Sequence, residues 1–178
     1  MNNRIISCKV KSAQIINNCS KINQWLFSSQ CLLCAASTQH PADLCPACFQ
    51  ALPWHNAPQC LQCGLPSNHP ICGHCLHEPP DFDATLAALR YEFPLDAVMQ
   101  HYKYGSALQT AHLFAHMMMT QHAQRLSSNT TDLIIPMPLH PQRLKERGFN
   151  QSLEIARLLS KQLGIPLDYH SAIRSKYT

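Results

Sequence analysis

No stretch of the chain approaches the roughly 20 consecutive apolar residues needed to span a membrane, and no apolar run of about seven or more opens it, so neither a span nor a signal peptide is expected. Between Cys31 and Cys75 there is no lysine or arginine. Stacking platforms for single-stranded nucleic acid interleave aromatic with basic residues, so Phe49, Trp54 and His55 alone are weak support for one there. Nowhere do two acidic residues adjoin. Charged residues make up only 13% of the 178, whereas 46% are hydrophobic, well above the range of disordered chains. That length suits one mid-sized domain, or a small module joined to part of a larger one.

What the chain has in excess is cysteine: ten residues, eight of them between 29 and 80. Without an export signal the expected location is cytoplasmic, and in a reducing compartment cysteines at metal spacing argue for a metal over disulfides. The eight fall into Cys31/Cys34, Cys45/Cys48, Cys60/Cys63 and Cys72/Cys75. Two residues between ligands let a tight turn aim both sulfurs at one ion, and two such turns complete a tetrahedron. Zinc suits four thiolates because it brings no redox chemistry and no d-electron preference; iron–sulfur is the remaining metal reading. Sequential pairing leaves 10 and 8 residues between pairs, cross-braced pairing 25 and 23, and neither matches the common spacing. The shorter loops favour sequential pairing, because closing them costs less chain entropy. His40, His55, His69, His74 and His77 are spare candidate ligands, each more simply read as a solvent-facing loop residue. Cys8 and Cys19 lie outside the pattern and read as free thiols. The formal charge of +4 falls to about zero once eight thiolates hold two zinc ions, so bulk charge says nothing about partners.

Cys72-Gly-His-Cys75 has the spacing of a thiol–disulfide exchange site. That chemistry needs the first cysteine at a helix N-terminus, and here Pro79 and Pro80 soon end any helix, which argues against it.

Composition divides the chain into an N-terminal extension (1–28), a double zinc ribbon (29–80) and an α/β segment (81–178). In the last, 85–93 reads as a strand with helix as rival, 94–104 and 106–124 as helices, and 131–137 as a strand ending at Pro136 and Pro138. A basic loop then runs to Asn150, a helix follows to Gly164, and Ile165–Leu167 begins another strand. Strand alternating with helix is the rhythm of a parallel sheet with crossover helices. The basic loop places His140, Arg143, Lys145 and Arg147 beyond a strand end and before a helix capped by Asn150. The arginines could clasp a phosphate, with Gly148 permitting close backbone approach. An ordinary exposed basic loop is the plainer alternative.

Cys31-Leu-Leu-Cys34, Leu44-Cys-Pro-Ala-Cys48 and Cys60-Leu-Gln-Cys-Gly64 resemble the zinc ribbon of the ComF family, the competence-associated group that includes the GntX proteins. Lys103-Tyr-Gly105 resembles its Lys-Tyr-x-Gly region, and Ile135-Pro-Met-Pro-Leu-His140 with Arg147-Gly-Phe-Asn-Gln151 its most characteristic string. The resemblance implies an N-terminal double zinc ribbon followed by an α/β domain of type I phosphoribosyltransferase-like fold. It makes the segment after Met137 a pyrophosphate-binding loop, with Leu139, His140, Arg143, Arg147, Gly148 and Asn150 as phosphate contacts. It further implies a part in DNA uptake or use, with single-stranded DNA and DNA-uptake proteins as partners. Magnesium and phosphoribosyl pyrophosphate would be cofactor and substrate of a full-length form. The family's adjacent acids, which bind the ribose phosphate, are missing, and about 98 residues follow the ribbon where roughly 150 are expected. The α/β domain is therefore expected to be incomplete and this chain inactive as a transferase.

Overall fold

A computed structural model describes residues 29–38, 43–104, 107–126 and 131–177. The expected extension 1–28, the thiols Cys8 and Cys19, His40 and Gly105 lie outside the described residues.

The ribbon begins with β1 (Ser29–Gln30) and β2 (Ser37–Thr38), paired antiparallel with Gln30 opposite Ser37. A short helix α1 (Pro46–Gln50) follows, with Pro46 in its first turn, where a missing N–H costs nothing. Gln59 and Pro66 then form an antiparallel bridge, and α2 (Gly73–His77) closes the module.

Next come α3 (Leu95–Tyr104) and the long α4 (Ala107–Leu126), which leaves helical geometry at His122 (φ −129°, ψ 17°). The expected strand at 85–93 is a strap instead. Leu89 makes one antiparallel bridge to Trp54, with His55 N–H donating to Ala88 O (3.0 Å) and Arg90 N–H to Pro53 O (2.9 Å). Its neighbour is the ribbon's own linker, which supplies two backbone bonds rather than a ladder.

The expected strand at 131–137 is also reduced to one contact, a parallel bridge between Ile134 and Leu167. Ile134 N–H donates to Pro166 O (2.9 Å) and Asp168 N–H to Ile134 O (3.0 Å). Pro136 and Pro138 have no N–H with which to extend it. Among the described residues this bridge is all that the parallel-sheet rhythm produces.

The span expected to be a basic loop holds a helix, α5 (Pro141–Arg147). His140 caps it, Nδ1 accepting from Gln142 N–H at 3.2 Å, and Pro141 opens its first turn. It ends at Gly148, whose φ of 77° suits a residue without Cβ. A seven-residue helix with no buried residue shows no apolar periodicity, which is why its pattern reads as loop. The last helix, α6 (Gln151–Leu163), is capped by Asn150 and ends at Gly164 in the left-handed conformation.

One core joins these parts. Cys31, Leu44 and Leu52 from the ribbon are buried together with Leu95, Val98 and Tyr102 of α3 and Leu113, Phe114 and Met117 of α4. Helix α4 packs mainly on α6 and α3. The fully buried Tyr102 links α3 to α6 by donating its hydroxyl hydrogen to Gln151 O at 2.7 Å. The first half of the ribbon is therefore part of the helical body's foundation.

Candidate metal centres and the basic segment

Each half of the ribbon repeats one local structure. In the first, Ala35 N–H donates to Cys31 O (2.8 Å) and Cys31 N–H to Ala36 O (2.8 Å). In the second, Gly64 N–H donates to Cys60 O (2.9 Å) and Cys60 N–H to Leu65 O (2.8 Å). Cys45 and Cys72 then occupy the N-cap positions of α1 and α2, with Cys48 and Cys75 three residues further on. A turn and a helix start thus supply two sulfurs each.

These elements gather Cys31, Cys34, Cys45 and Cys48 into one group, and Cys60, Cys63, Cys72 and Cys75 into another, with the sulfurs of each group all within 4.8 Å of one another. The arrangement is the sequential one. No histidine of the described residues joins either group. The donor set fits zinc: a tetrahedron with Zn–S bonds of about 2.3 Å has S···S edges of about 3.8 Å. Cys34 Sγ and Cys45 Sγ are 3.7 Å apart, and Cys63 Sγ and Cys72 Sγ 3.8 Å.

The groups are electrostatically prepared for a cation. Burial raises the Cys31 thiol, but amide N–H groups of Cys45, Cys34 and Leu33 outweigh it and bring it down to about 6. Amides of Cys63 and Cys72 do the same for Cys60, also to about 6. Cys48 is pushed up to about 12 by its hydrogen bonds with Cys45 and Cys34. Cys75 reaches about 12 through burial and its neighbours Cys63 and Cys72. Crowding four thiols resists the last ionisation in each group until a divalent ion offsets the charge.

Cys72 does stand at a helix N-terminus, contrary to the expectation from the prolines. Exchange chemistry is disfavoured instead by Cys60 and Cys63, which converge with Cys72 and Cys75 on one point.

The halves also differ. The residue after the second knuckle cysteine has positive φ in both, but it is Ala35 (58°) in the first and Gly64 (73°) in the second. An alanine there costs about 1 kcal/mol. Cys34 is exposed, whereas none of Cys60, Cys63, Cys72 and Cys75 is. The second half is also strapped, Gln62 Nε2 donating to Phe82 O (3.4 Å) and Thr85 N–H to Leu61 O (3.3 Å).

The basic segment is organised by α5. Arg143 pairs through Nη1 with Glu146 (2.8 Å), and its Cζ lies 5.3 Å from the Tyr177 ring centroid. Arg147 Nη1 donates to Gln151 Oε1 (3.3 Å). Asn150 accepts from Ser152 N–H (3.0 Å) and Leu153 N–H (3.4 Å), while its Nδ2 donates to Met137 O (3.1 Å). Two buried donor atoms of this segment, Arg143 Nε and Gln151 Nε2, have no acceptor among the described residues.

Beside this segment lies a cavity of about 480 Å³. Leu139, Gly148 and Asn150 line it, and His140, Arg143 and Arg147 do not. His140 instead packs edge-on against Tyr177, with ring centroids 5.4 Å apart. A Cβ on Gly148 would meet nothing within 4 Å, so that glycine serves its backbone angle rather than a close approach. Tyr169, His170 and Arg174 also line the cavity, and the sequence pattern does not single them out. Asp168 turns the chain there by accepting from His170 N–H (2.9 Å) and Ser171 N–H (3.1 Å), and an aspartate two residues before a histidine is the available signal.

Two four-thiol groups on a repeated turn-and-helix scaffold define a double zinc ribbon protein, and the family model of the double zinc ribbon domain matches residues 22–76. Over most of its length the chain resembles proteins of the ComF family. It is 29% identical over 151 residues to the DNA utilization protein YhgH of Shigella flexneri, covering 83% of this chain and 61% of that one. The protein of the same name from Escherichia coli K12 is 28% identical over the same shares. Competence protein F of Haemophilus influenzae is 29% identical over 110 residues, 60% of this chain and 48% of that one. The chain thus spans about 61% of the length of the DNA utilization proteins it matches. No solved structure matches. Among the described residues no helix is long and apolar enough to cross a membrane.

Proposed function

We propose that this chain serves competence and DNA utilization, with the ribbon as a metal-held scaffold and the Met137–Gln151 segment as a phosphate-binding element of a phosphoribosyltransferase-like domain. Zinc bound to the eight cysteines would cross-link the ribbon, adding to the share of the common core that its first half holds. The observation that carries the phosphate reading is the pair of buried donors without acceptors, Arg143 Nε and Gln151 Nε2, in the segment that resembles the family's pyrophosphate loop. A buried donor left unpaired is costly, and an anion oxygen reaching either one would satisfy it. Leu139, His140, Arg147, Gly148 and Asn150 shape the element. Binding requires Arg143 to exchange its Glu146 partner for the ligand.

The charge division supports the same assignment. The ribbon presents Leu61, Leu65 and Leu76 to solvent, and Arg143, Lys145 and Arg147 all belong to α5. DNA and DNA-uptake proteins are the partners this reading implies, with single-stranded DNA contacting the helical body rather than the ribbon. Transfer of a phosphoribosyl group from phosphoribosyl pyrophosphate, with magnesium, is the second reading. The chain offers no adjacent acids for the ribose, so no pyrophosphate release is expected from it.

Calorimetric titration with pyrophosphate and with phosphoribosyl pyrophosphate tests the proposal. Binding that weakens at least several-fold in Arg143→Gln is expected. No binding, or binding indifferent to that change, refutes the phosphate assignment. For the cellular role, deletion of the locus should lower recovery of transformants or growth on DNA, and an unchanged phenotype refutes it.

A further inference from the structure

The two metal centres are built alike but are unequally protected, and the inequality is greatest at Cys34. Cys34 is the exposed cysteine of the first group, and Cys45 Sγ lies 3.7 Å from it. The turn that presents Cys34 is closed by Ala35 at φ 58°, a backbone angle that L side chains resist. The second centre has Gly64 at the equivalent place, packed so closely that a Cβ would sit 3.0 Å from Thr85 Cγ2. Cys31 and Cys60 are alike, both buried and both accepting from the amide of the third cysteine, but Cys75 is buried where Cys48 is only partly so, and Cys63 is partly covered where Cys34 is exposed. Amide hydrogen bonds reach sulfurs in both centres, so exposure, which admits the reagent, is what separates them.

We infer that the first centre is an oxidation site: a hydroperoxide reaching Cys34 couples it to Cys45 as a disulfide and expels the metal, leaving the second centre loaded. The Cys34 thiolate attacks the peroxide oxygen and the O–O bond breaks, leaving a sulfenic acid and, for hydrogen peroxide, a hydroxide that takes a proton from solvent to become water. The Cys45 thiolate then attacks the sulfenic sulfur, forming the S–S bond as the S–O bond breaks and hydroxide leaves, which a second solvent proton converts to water. Two thiol sulfurs lose two electrons in total, the peroxide gains them, and zinc departs as the hydrated ion.

The consequence reaches the helical body through the first centre alone. Cys31 is buried in the core shared with α3 and α4, and neither Cys60 nor Cys75 belongs to that core. Phe49, directly after Cys48, lies 5.2 Å from the His116 ring of α4 and 5.1 Å from Trp54. Losing the metal beneath these residues loosens the ribbon from α3 and α4.

The test is to titrate the zinc-loaded full chain with hydrogen peroxide, following released zinc with a colorimetric chelator and mapping disulfides by peptide mass spectrometry. Half of the zinc should leave in a first phase, with Cys34 linked to Cys45 and Cys60, Cys63, Cys72 and Cys75 still reduced. Hydrogen exchange should rise at the first centre and in α3 during that phase. Ala35→Gly, which relieves the turn without removing a ligand, should slow the first phase several-fold. Simultaneous loss of both ions, earlier loss from the second centre, a first disulfide at other cysteines, or an unchanged rate in Ala35→Gly would each overturn the inference.

Discussion

Among single residues, a few side chains carry more than their neighbours because they connect elements. Asn150 satisfies two amides at the start of α6 and ties the cap to Met137, so Asn150→Ala should cost about 1–2 kcal/mol, read as a lowered urea midpoint. Tyr102 is fully buried, and burial, with the nearby Glu154, raises its pKa above the usual 10. A phenol whose folded pKa is raised contributes stability that is complete below the unfolded value near 10 and is lost as pH rises beyond it. The chain should therefore lose stability above about pH 10. Tyr102→Phe should forfeit about 1 kcal/mol at neutral pH with the Gln151 hydrogen bond, yet lack the alkaline decline, which denaturation curves at two pH values will show. Gly64→Ala should destabilise the second half by more than about 1 kcal/mol, since it adds both a strained φ and a collision with Thr85.

Among the elements, the ribbon's metal chemistry is open to reading and much of the rest is not. Cys-x-x-Cys is legible because the ligand atoms are themselves the signal, and loop entropy then favours the sequential pairing that the structure contains. The repeat of turn and short helix is hidden, because it is written in backbone hydrogen bonds rather than in matching side chains: Ala35 stands where Gly64 does, and Asp43 accepts from Leu32 as Pro70 does from Leu61. Helices α3, α4 and α6 show themselves through their apolar spacing. Residues 85–93 mislead because strand pattern records burial and alternation, not whether a partner strand exists, and their partner is a two-bond contact around Trp54. The cavity beside α5 is half legible: Leu139, Gly148 and Asn150 line it, but for 169–174 only the turn-forming Asp168 hints that the chain folds back there. Because the halves differ in what they support, ligand substitutions should differ too. Cys60→Ser should remove one zinc and leave hydrogen-exchange protection of α3 and α4 largely intact. Cys31→Ser should remove one zinc and lower protection in both helices.

Across the whole molecule, charge is divided along the chain. No lysine or arginine occurs between Lys21 and Arg90, and each zinc with four thiolates leaves two negative charges on the ribbon. The segment from Arg143 to Lys176 carries seven of the chain's basic residues. Arg4, Lys9, Lys11 and Lys21 lie outside the described residues, and of the two described parts the helical body rather than the ribbon should carry any nucleic-acid affinity. Replacing Arg143 and Lys145 by glutamine should weaken single-stranded DNA binding and flatten its salt dependence, by about 0.7 in log slope for each phosphate no longer neutralised. An unaltered slope would place the DNA elsewhere on the surface.

Metal holds the ribbon in place and, through the ribbon's first half, the helical core. The decisive experiment is native mass spectrometry of the full chain, combined with hydrogen exchange before and after chelation. Two zinc ions on a chain of 20.1 kDa, and loss of protection across 29–77 and in α3 when they are removed, are the expected result. A metal-free chain, or protection of the ribbon unchanged by the chelator, would contradict it.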